Sequence, residues 1–296
     1  MKHYRIIILI VAAFIPILKV SSQNIEEMLS KYTEANGQKY MQPLADALGS
    51  CMNSGLSHTA SVKKMGFQLY LGIAASAAFI PDKNLTFTGT TEGVFSPKST
   101  AKVPTIFGPV ESVKVNGAGG TVYAFPPGLN VKYLPFAVPQ INIGSVYETQ
   151  LTFRFYAQGI NDDIGNLDLF GFGIKHNLNQ YIKEIPIDLA VGYYHQRFKL
   201  GSYLDAKTNV INLQASKKVM IFTFYGSLGY ENASVDLAYK SEANNLDISY
   251  NLKGANNIRL TAGLVFNMGP VKLHADYNLA SQSSVCVGLG IGIFEN

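Results

Sequence analysis

The sequence predicts an all-β fold, a transmembrane antiparallel β-barrel of 12–14 strands with a short N-terminal helical plug. Three observations predict it. The stretch "VKLHADYNLA" (271–280) alternates strictly: Val271, Leu273, Ala275, Tyr277 and Leu279 share one face, and Lys272, His274, Asp276 and Asn278 share the other. Successive side chains of a strand point to opposite sides, so this strand has one oily and one ionisable face. The pattern recurs in eleven runs from residue 66 onward, each near the ~9–11 residues that span a bilayer as a tilted strand. The composition is aromatic and glycine-rich yet poor in charge, with 17 Tyr, 17 Phe, 27 Gly and 15% charged residues among 296. A secreted β-sandwich also alternates. Its strands average ~5–6 residues, and whole faces carrying mid-strand Arg, Lys, His and Asp fit a wetted lumen better.

Residues 1–22 read as a secretory signal. Lys2 and Arg5 precede an apolar run, 6–18, that is shorter than the ~20 residues of a spanning helix. Val20 and Ser22 then lead to a cut at Gln23. Loss of Lys2, Arg5 and Lys19 leaves the mature chain close to electroneutral and without a Lys/Arg cluster, which argues against a nucleic-acid partner. Residues 23–61 are expected to form the plug. Ile25, Met28, Leu29 and Tyr32 have helical spacing behind Glu26 and Glu27, Pro43 opens a second helix, and Asn53, Ser54 and Gly55 end it.

Residues 62–296 are expected to form the barrel. "GFQLYLGIAASAAFI" (66–80) alternates first, and "INIGSVYETQLTFRFYAQ" (141–158) keeps one phase throughout and reads as a single run. Others lie near 166–176, 187–198, 207–216, 218–230, 233–241, 245–253, 257–267, 270–279 and 284–294, with Ser216–Lys218 and Glu231–Asn232 as turns. Eleven strands place the two ends on opposite sides, so residues 81–140 must add an odd number, and 84–95 is the best candidate. Residues 96–139 hold seven of the twelve prolines and read as an insertion.

Twelve or more strands enclose more space than their own side chains fill, which calls for the plug. First and last strands meet at closure, and small residues on their inner faces, Gly72 and Ala74 on one and Gly288 and Gly290 on the other, either clear room for a helix or relieve strand curvature. Cys51 and Cys286 are either a plug-to-wall disulfide of an exported protein or two unrelated buried thiols. The ionisable groups Glu148, Arg154, Lys175, Arg259, Lys272, His274 and Asp276, with Asp236 and Asp247, fall on the lumen phase. They hydrate the lumen and pair with the plug, or they set selectivity. Ser284 and His274 begin neighbouring strands, but no GxSxG elbow is present and no enzymatic activity is expected. No metal spacing or cofactor motif stands out.

The phrases "GFGIKHNLNQYI" (171–182), "PIDLAVGYYHQ" (186–196), "VPQINIGSVYETQLTFRF" (138–155) and "MNSGLSHTA" (52–60) resemble the DUF6588 group of Gram-negative outer-membrane proteins. That group looks distantly similar to FadL-type long-chain fatty-acid transporters, fourteen-stranded barrels with an N-terminal hatch. The resemblance implies an outer-membrane location, lipid neighbours, insertion by the barrel-assembly machinery, and a plugged channel for hydrophobic small molecules such as fatty acids. The alternative is a structural or surface-interaction barrel that transports nothing. This chain is shorter than the FadL type and ends "GIFEN" instead of on an aromatic residue.

Overall fold

The computed structural model describes residues 32, 34–161, 165–182, 184–241 and 246–293; the signal and the first helical turns expected of the plug lie outside them. Among the described residues one α-helix, α1 (Glu34–Met52), precedes fifteen strands. Ten positions around a closed antiparallel wall are filled by β1 (Met65–Phe79), β6 (Tyr133–Val146), β7 (Thr149–Asn161), β8 (Gly165–Asn177), β9 (Asp188–Leu200), β10 (Leu204–Val219), β11 (Phe222–Ser241), β13 (Ile258–Met268), β14 (Val271–Leu279) and β15 (Ser284–Ile293). β1 pairs with β15 and β10 with β11, so the circuit has no open side at the level of these pairings. Closure is what hydrocarbon requires, because an unpaired backbone edge there would be neither paired nor hydrated.

The barrel therefore has ten wall strands, not 12–14. Three differences account for the count. The run 141–158 is two strands, since Tyr147 and Glu148 both take positive φ and make a tight reversal. The runs 218–230 and 233–241 are one strand: Glu231 and Asn232 sit in mid-β11, opposite Val210 and Asn209, and the turn before it is at Met220–Ile221 rather than at Ser216–Lys218. β12 (Leu246–Lys253) pairs only with the far half of β11, and β13 takes over the near half in the same direction. A break at 254–257 separates them, where Gly254 N still donates to Ala233 O at 3.0 Å and Glu231 N to Asn257 O at 2.8 Å. β12 and β13 behave as one bulged wall strand. An even number puts Met65 and Ile293 at the same end, and no wall strand is needed from 81–132.

That stretch instead builds a cap at the opposite end: hairpins β2 (Thr86–Thr90) with β3 (Thr100–Pro104), and β4 (Lys114–Asn116) with β5 (Val122–Ala124). The expected insertion, 96–139, is misplaced at both ends. Pro135 and Pro139 lie in β6, where it pairs with β1 but not yet with β7, whose pairing begins at Gln140. A sheet edge is where a strand tolerates proline.

Burial confirms the direction of the wall. On β14, Leu273, Tyr277 and Leu279 are exposed while Lys272, His274, Asp276 and Asn278 are buried. The exterior continues as a belt that includes Leu289 (55% exposed), Ile291, Leu213, Phe224 and Leu71. This inverts a soluble protein, whose exposed apolar patches are small, and suits lipid.

Among the described residues the plug is α1 followed by an irregular segment, 53–64, and the first of the two expected helices lies outside them. Pro43 lies within α1; buried Tyr40, Met41, Ala45, Leu48 and Met52 hold the helix together despite the missing N–H. The helix stands at the cap end. Tyr40 Oη donates to Pro127 O at 2.8 Å, and Asn36 Nδ2 to Thr90 O at 2.7 Å. Residues 53–64 then run down the lumen to β1.

An arginine placed at Leu289 should destabilise the inserted barrel by ~2–4 kcal/mol. A serine at Gly292, on the inner face, should be far milder. Urea titration of both variants in vesicles, read by heat-modifiable gel mobility, checks the contrast.

Candidate functional site

The lumen has two tiers. At the cap end it is dry: α1 packs Tyr40, Leu48, Cys51 and Met52 against Ala74, Ala78, Phe136, Val138, Leu169, Leu204, Ala206, Val235, Leu237, Tyr250 and Leu252. Below it is polar. There the wall supplies Gln68, Gln140, Asn142, Gln150, Thr152, Gln196, Gln214 and Ser216, all buried. Several of these side chains, with Lys175 and Asn177, partner the backbone of the threaded segment, which has no strand beside it. Gln140 Nε2 donates to Leu56 O at 3.2 Å, Lys175 Nζ to Thr59 O at 2.6 Å, Asn177 Nδ2 to Ala60 O at 3.0 Å, and Ala60 N to Ser216 Oγ at 2.9 Å. At the terminal end Lys63 N donates to Gln68 Oε1 at 3.1 Å, and Glu148 N to Lys64 O at 3.0 Å. Buried backbone groups need such partners wherever no ladder supplies them.

Two buried arginines grip the junction of the tiers. Arg154 Nη1 donates to Met52 O at 2.9 Å and Nη2 to Ser54 O at 2.8 Å, while Nε reaches Gln140 Oε1 at 2.9 Å. Arg259 Nη2 donates to Ser50 O at 3.0 Å, and its Nε and Nη2 hold Glu231 at 2.8 and 3.0 Å. The last turn of a helix exposes unpaired carbonyls at the negative end of its dipole, and both guanidinium groups meet that need. On the polar flank of α1, Asp46 Oδ1 accepts from Ala255 N at 2.9 Å and Gln42 Nε2 at 2.7 Å. Desolvation raises that carboxyl above its usual range despite these bonds.

The structure brings Arg154, Lys175, Arg259, Lys272, His274 and Asp276 into the lumen, each buried. Glu148 is not there. It occupies the β6–β7 reversal at the terminal end and is half-buried, because the run that seemed to place it mid-strand breaks at that residue. Asp236 accepts from Asn251 on the outer face and Asp247 is exposed. Glu231, read from sequence as part of a turn, is the buried partner of Arg259; an acid at the end of one alternating run gave no sign of it.

The small residues have a different task from the one expected. A Cβ on Gly288 would strike His274, and one on Gly72 or Gly290 would strike Tyr70. These glycines let wall side chains lie flat across the inner surface. Ala74 does meet the plug: it and Cys286 crowd the place of a Cβ on Gly55, whose φ is +64°. Cys51 and Cys286 are both buried and unbridged. The Cys51 thiol is turned toward β6, donating to Leu134 O at 3.3 Å, so of the two readings the structure holds two buried thiols and not the bridge. Ser284 pairs across from Asn278, whereas His274 is opposite Gly288. The Ser284 hydroxyl contacts Ser54 and Ser50 of the plug, which leaves no serine–histidine dyad.

The enclosed space that remains is small. A polar cavity of about 20 Å³ lies between Asn53, Asn212, Arg259 and Asp276, enough for one water. The wall itself is incomplete at the cap end: Tyr133–Pro139 of β6 and Phe155–Asn161 of β7 each pair on one side only. Phe136 and Val138 lie at the inner edge of this seam, and the Phe136 ring meets Phe198 edge-on at 5.7 Å. Nothing in the period-two pattern signals the seam apart from the two prolines.

Glu231→Gln should leave the Arg259 charge buried without its partner and destabilise the barrel by about 3–5 kcal/mol, read as a lower midpoint in the same urea titration. Titration of thiols in unreduced, denatured protein should return two reactive groups.

The chain is similar to solved barrels at low identity. The attachment invasion locus protein Ail of Yersinia pestis, in complex with a heparin analogue, is 11% identical over 77% of this chain and 100% of its own, with a TM-score of 0.28. The toluene transporter TbuX of Ralstonia pickettii is 8% identical over 85% and 98%, with a TM-score of 0.29. The outer membrane channel DcaP of Acinetobacter baumannii is 10% identical over 80% and 100%, with a TM-score of 0.21. At these scores the fold rests on the strand register itself. No curated protein matches. The sequence profile of a family of unknown function, DUF6588, matches residues 1–293, and the chain belongs to that family.

Proposed function

We propose that this protein is an outer-membrane barrel, shut along its axis, that passes hydrophobic small molecules such as fatty acids between the lipid and its dry tier through the β6–β7 seam. The observation that carries the reading is the seam. It is a place where neighbouring wall strands lack backbone pairing, as the far side of β12 also does, and its inner edge is apolar, with Phe136, Val138 and Phe198 beside it. The polar lumen offers such a cargo nothing, being filled by the threaded segment. No reacting group in the site points to catalysis, and we read the protein as non-enzymatic.

A second reading, a structural or surface-interaction barrel that transports nothing, draws on the completeness of the plug and the water-sized cavity. The two part in one experiment. Protein extracted gently should carry acyl lipid in native mass spectrometry, and a deletion strain should take up labelled fatty acid more slowly. Val138→Glu, which sets a charge at the seam, should remove both effects while keeping heat-modifiable mobility. An empty protein, with uptake equal in all strains, would establish the structural reading instead.

A further inference from the structure

One contact between plug and wall has no role in that reading. His58 of the threaded segment stacks on His274 of β14, with ring centroids 5.2 Å apart and planes 18° from parallel. Both are buried. The His58 ring also leans on Tyr70 of β1 at 4.6 Å. The His274 ring lies so close over β15 that a Cβ on Gly288 would overlap it. The stack is therefore held from three sides.

We propose that the His58–His274 stack is an acid-sensitive latch: while both rings are neutral it holds residues 53–64 against the wall, and protonation of both drives the segment off and opens the polar lumen to water and small ions. Two neutral imidazoles can stack at this distance, whereas two imidazolium ions repel in a medium that screens them poorly. Histidine is the side chain whose ordinary titration range makes such a change accessible to mild acid.

The surroundings set how many protons are needed. Asp276 on β14 has its Oδ2 4.0 Å from His274 Nδ1. It already accepts from Tyr225 of β11 at 2.9 Å and from Asn278 at 2.6 Å. Among the described residues it is the carboxylate at the stack, so it can balance one imidazolium but not two. The remaining charged groups near the segment are cationic or paired. Arg154 of β7 holds Ser54 O, Lys175 of β8 holds Ser57 and Thr59 on either side of His58, and Arg259 of β13 is joined to Glu231 of β11. Lys272 of β14 adds a further cation, and Cys286 of β15 and Cys51 of α1 are the thiols nearby. A second proton thus enters a neighbourhood with surplus positive charge. Apart from the small contact of Leu56 with Tyr194 and Val210, the bonds it must break are hydrogen bonds between side chains and the segment's irregular backbone, which water replaces at small net loss. The dry tier around α1 has no such substitute, so the helix stays while the segment moves.

Access to Cys286 tests this with the full-length mature barrel in detergent, its folding checked by heat-modifiable mobility. The Cys286 sulfur lies against Gly55 of the segment, whereas Cys51 belongs to the helix that stays. With a pyridyl disulfide reagent that reacts in acid, wild type should yield no labelled thiol near pH 7.5 and one, Cys286, near pH 4.5, within roughly two units of the ordinary histidine range. His58→Gln and His274→Gln, each polar but unable to charge, should stay unlabelled at the acid pH. Asp276→Asn should be labelled at a higher pH than wild type, because the first imidazolium loses its counter-charge. A folded wild type that stays unlabelled at the acid pH overturns the latch. So does labelling in both glutamine variants equal to that of wild type.

Discussion

Every backbone polar group placed in hydrocarbon, or in a lumen closed to water, must find a partner within the protein. The wall meets this by closing: ten positions pair in a circuit, and the longest strand, β11, is shared between β12 and β13 so that the circuit persists across a bulge. The threaded segment cannot meet it in the same way, since no strand lies beside it. Its carbonyls and amides are served one at a time by glutamine, asparagine, serine, lysine and arginine side chains from the wall. The polarity of the lower lumen is thus explained by the peptide it surrounds.

That arrangement divides the plug into two unlike parts. The helix is held by burial of apolar surface and by two cations at its C-terminal end, a combination that water cannot replace cheaply. The segment below is held by exchangeable hydrogen bonds, one stacked histidine pair and a small apolar contact of Leu56 with Tyr194 and Val210. A barrel of this kind offers two routes of different chemistry. One lies in the membrane plane at the dry tier, where β6 and β7 part. The other lies along the axis, where the lower lumen is filled mainly by polar contacts and the cap end by the apolar packing of α1.

The alternation of residues was enough to identify a membrane barrel, its inner and outer faces and much of the ionisable lining, because period two is a property of one strand and needs no neighbour to be read. The same signal misjudged where strands end. A turn made by two non-glycine residues at positive φ, Tyr147 and Glu148, carries no turn signature, and Glu231–Asn232 looks like a turn but is bonded on through both neighbouring strands. Glycines 72, 288 and 290 accommodate Tyr70 and His274 from adjacent positions on the wall, which alternation along single strands could not reveal.

What the sequence by itself determined is local: the oily and wet faces of most strands, a helix ahead of the barrel, and kinship from a few phrases. What only the tertiary structure decided is whatever depends on register around the circuit. This includes the number of wall strands, the edge exposed between β6 and β7, the pairing of Glu231 with Arg259, the separation of Cys51 from Cys286, and the meeting of His58 with His274. The physical reason is that a strand's faces follow from its own alternation, whereas its register is a sum over all its neighbours and the chain threaded between them.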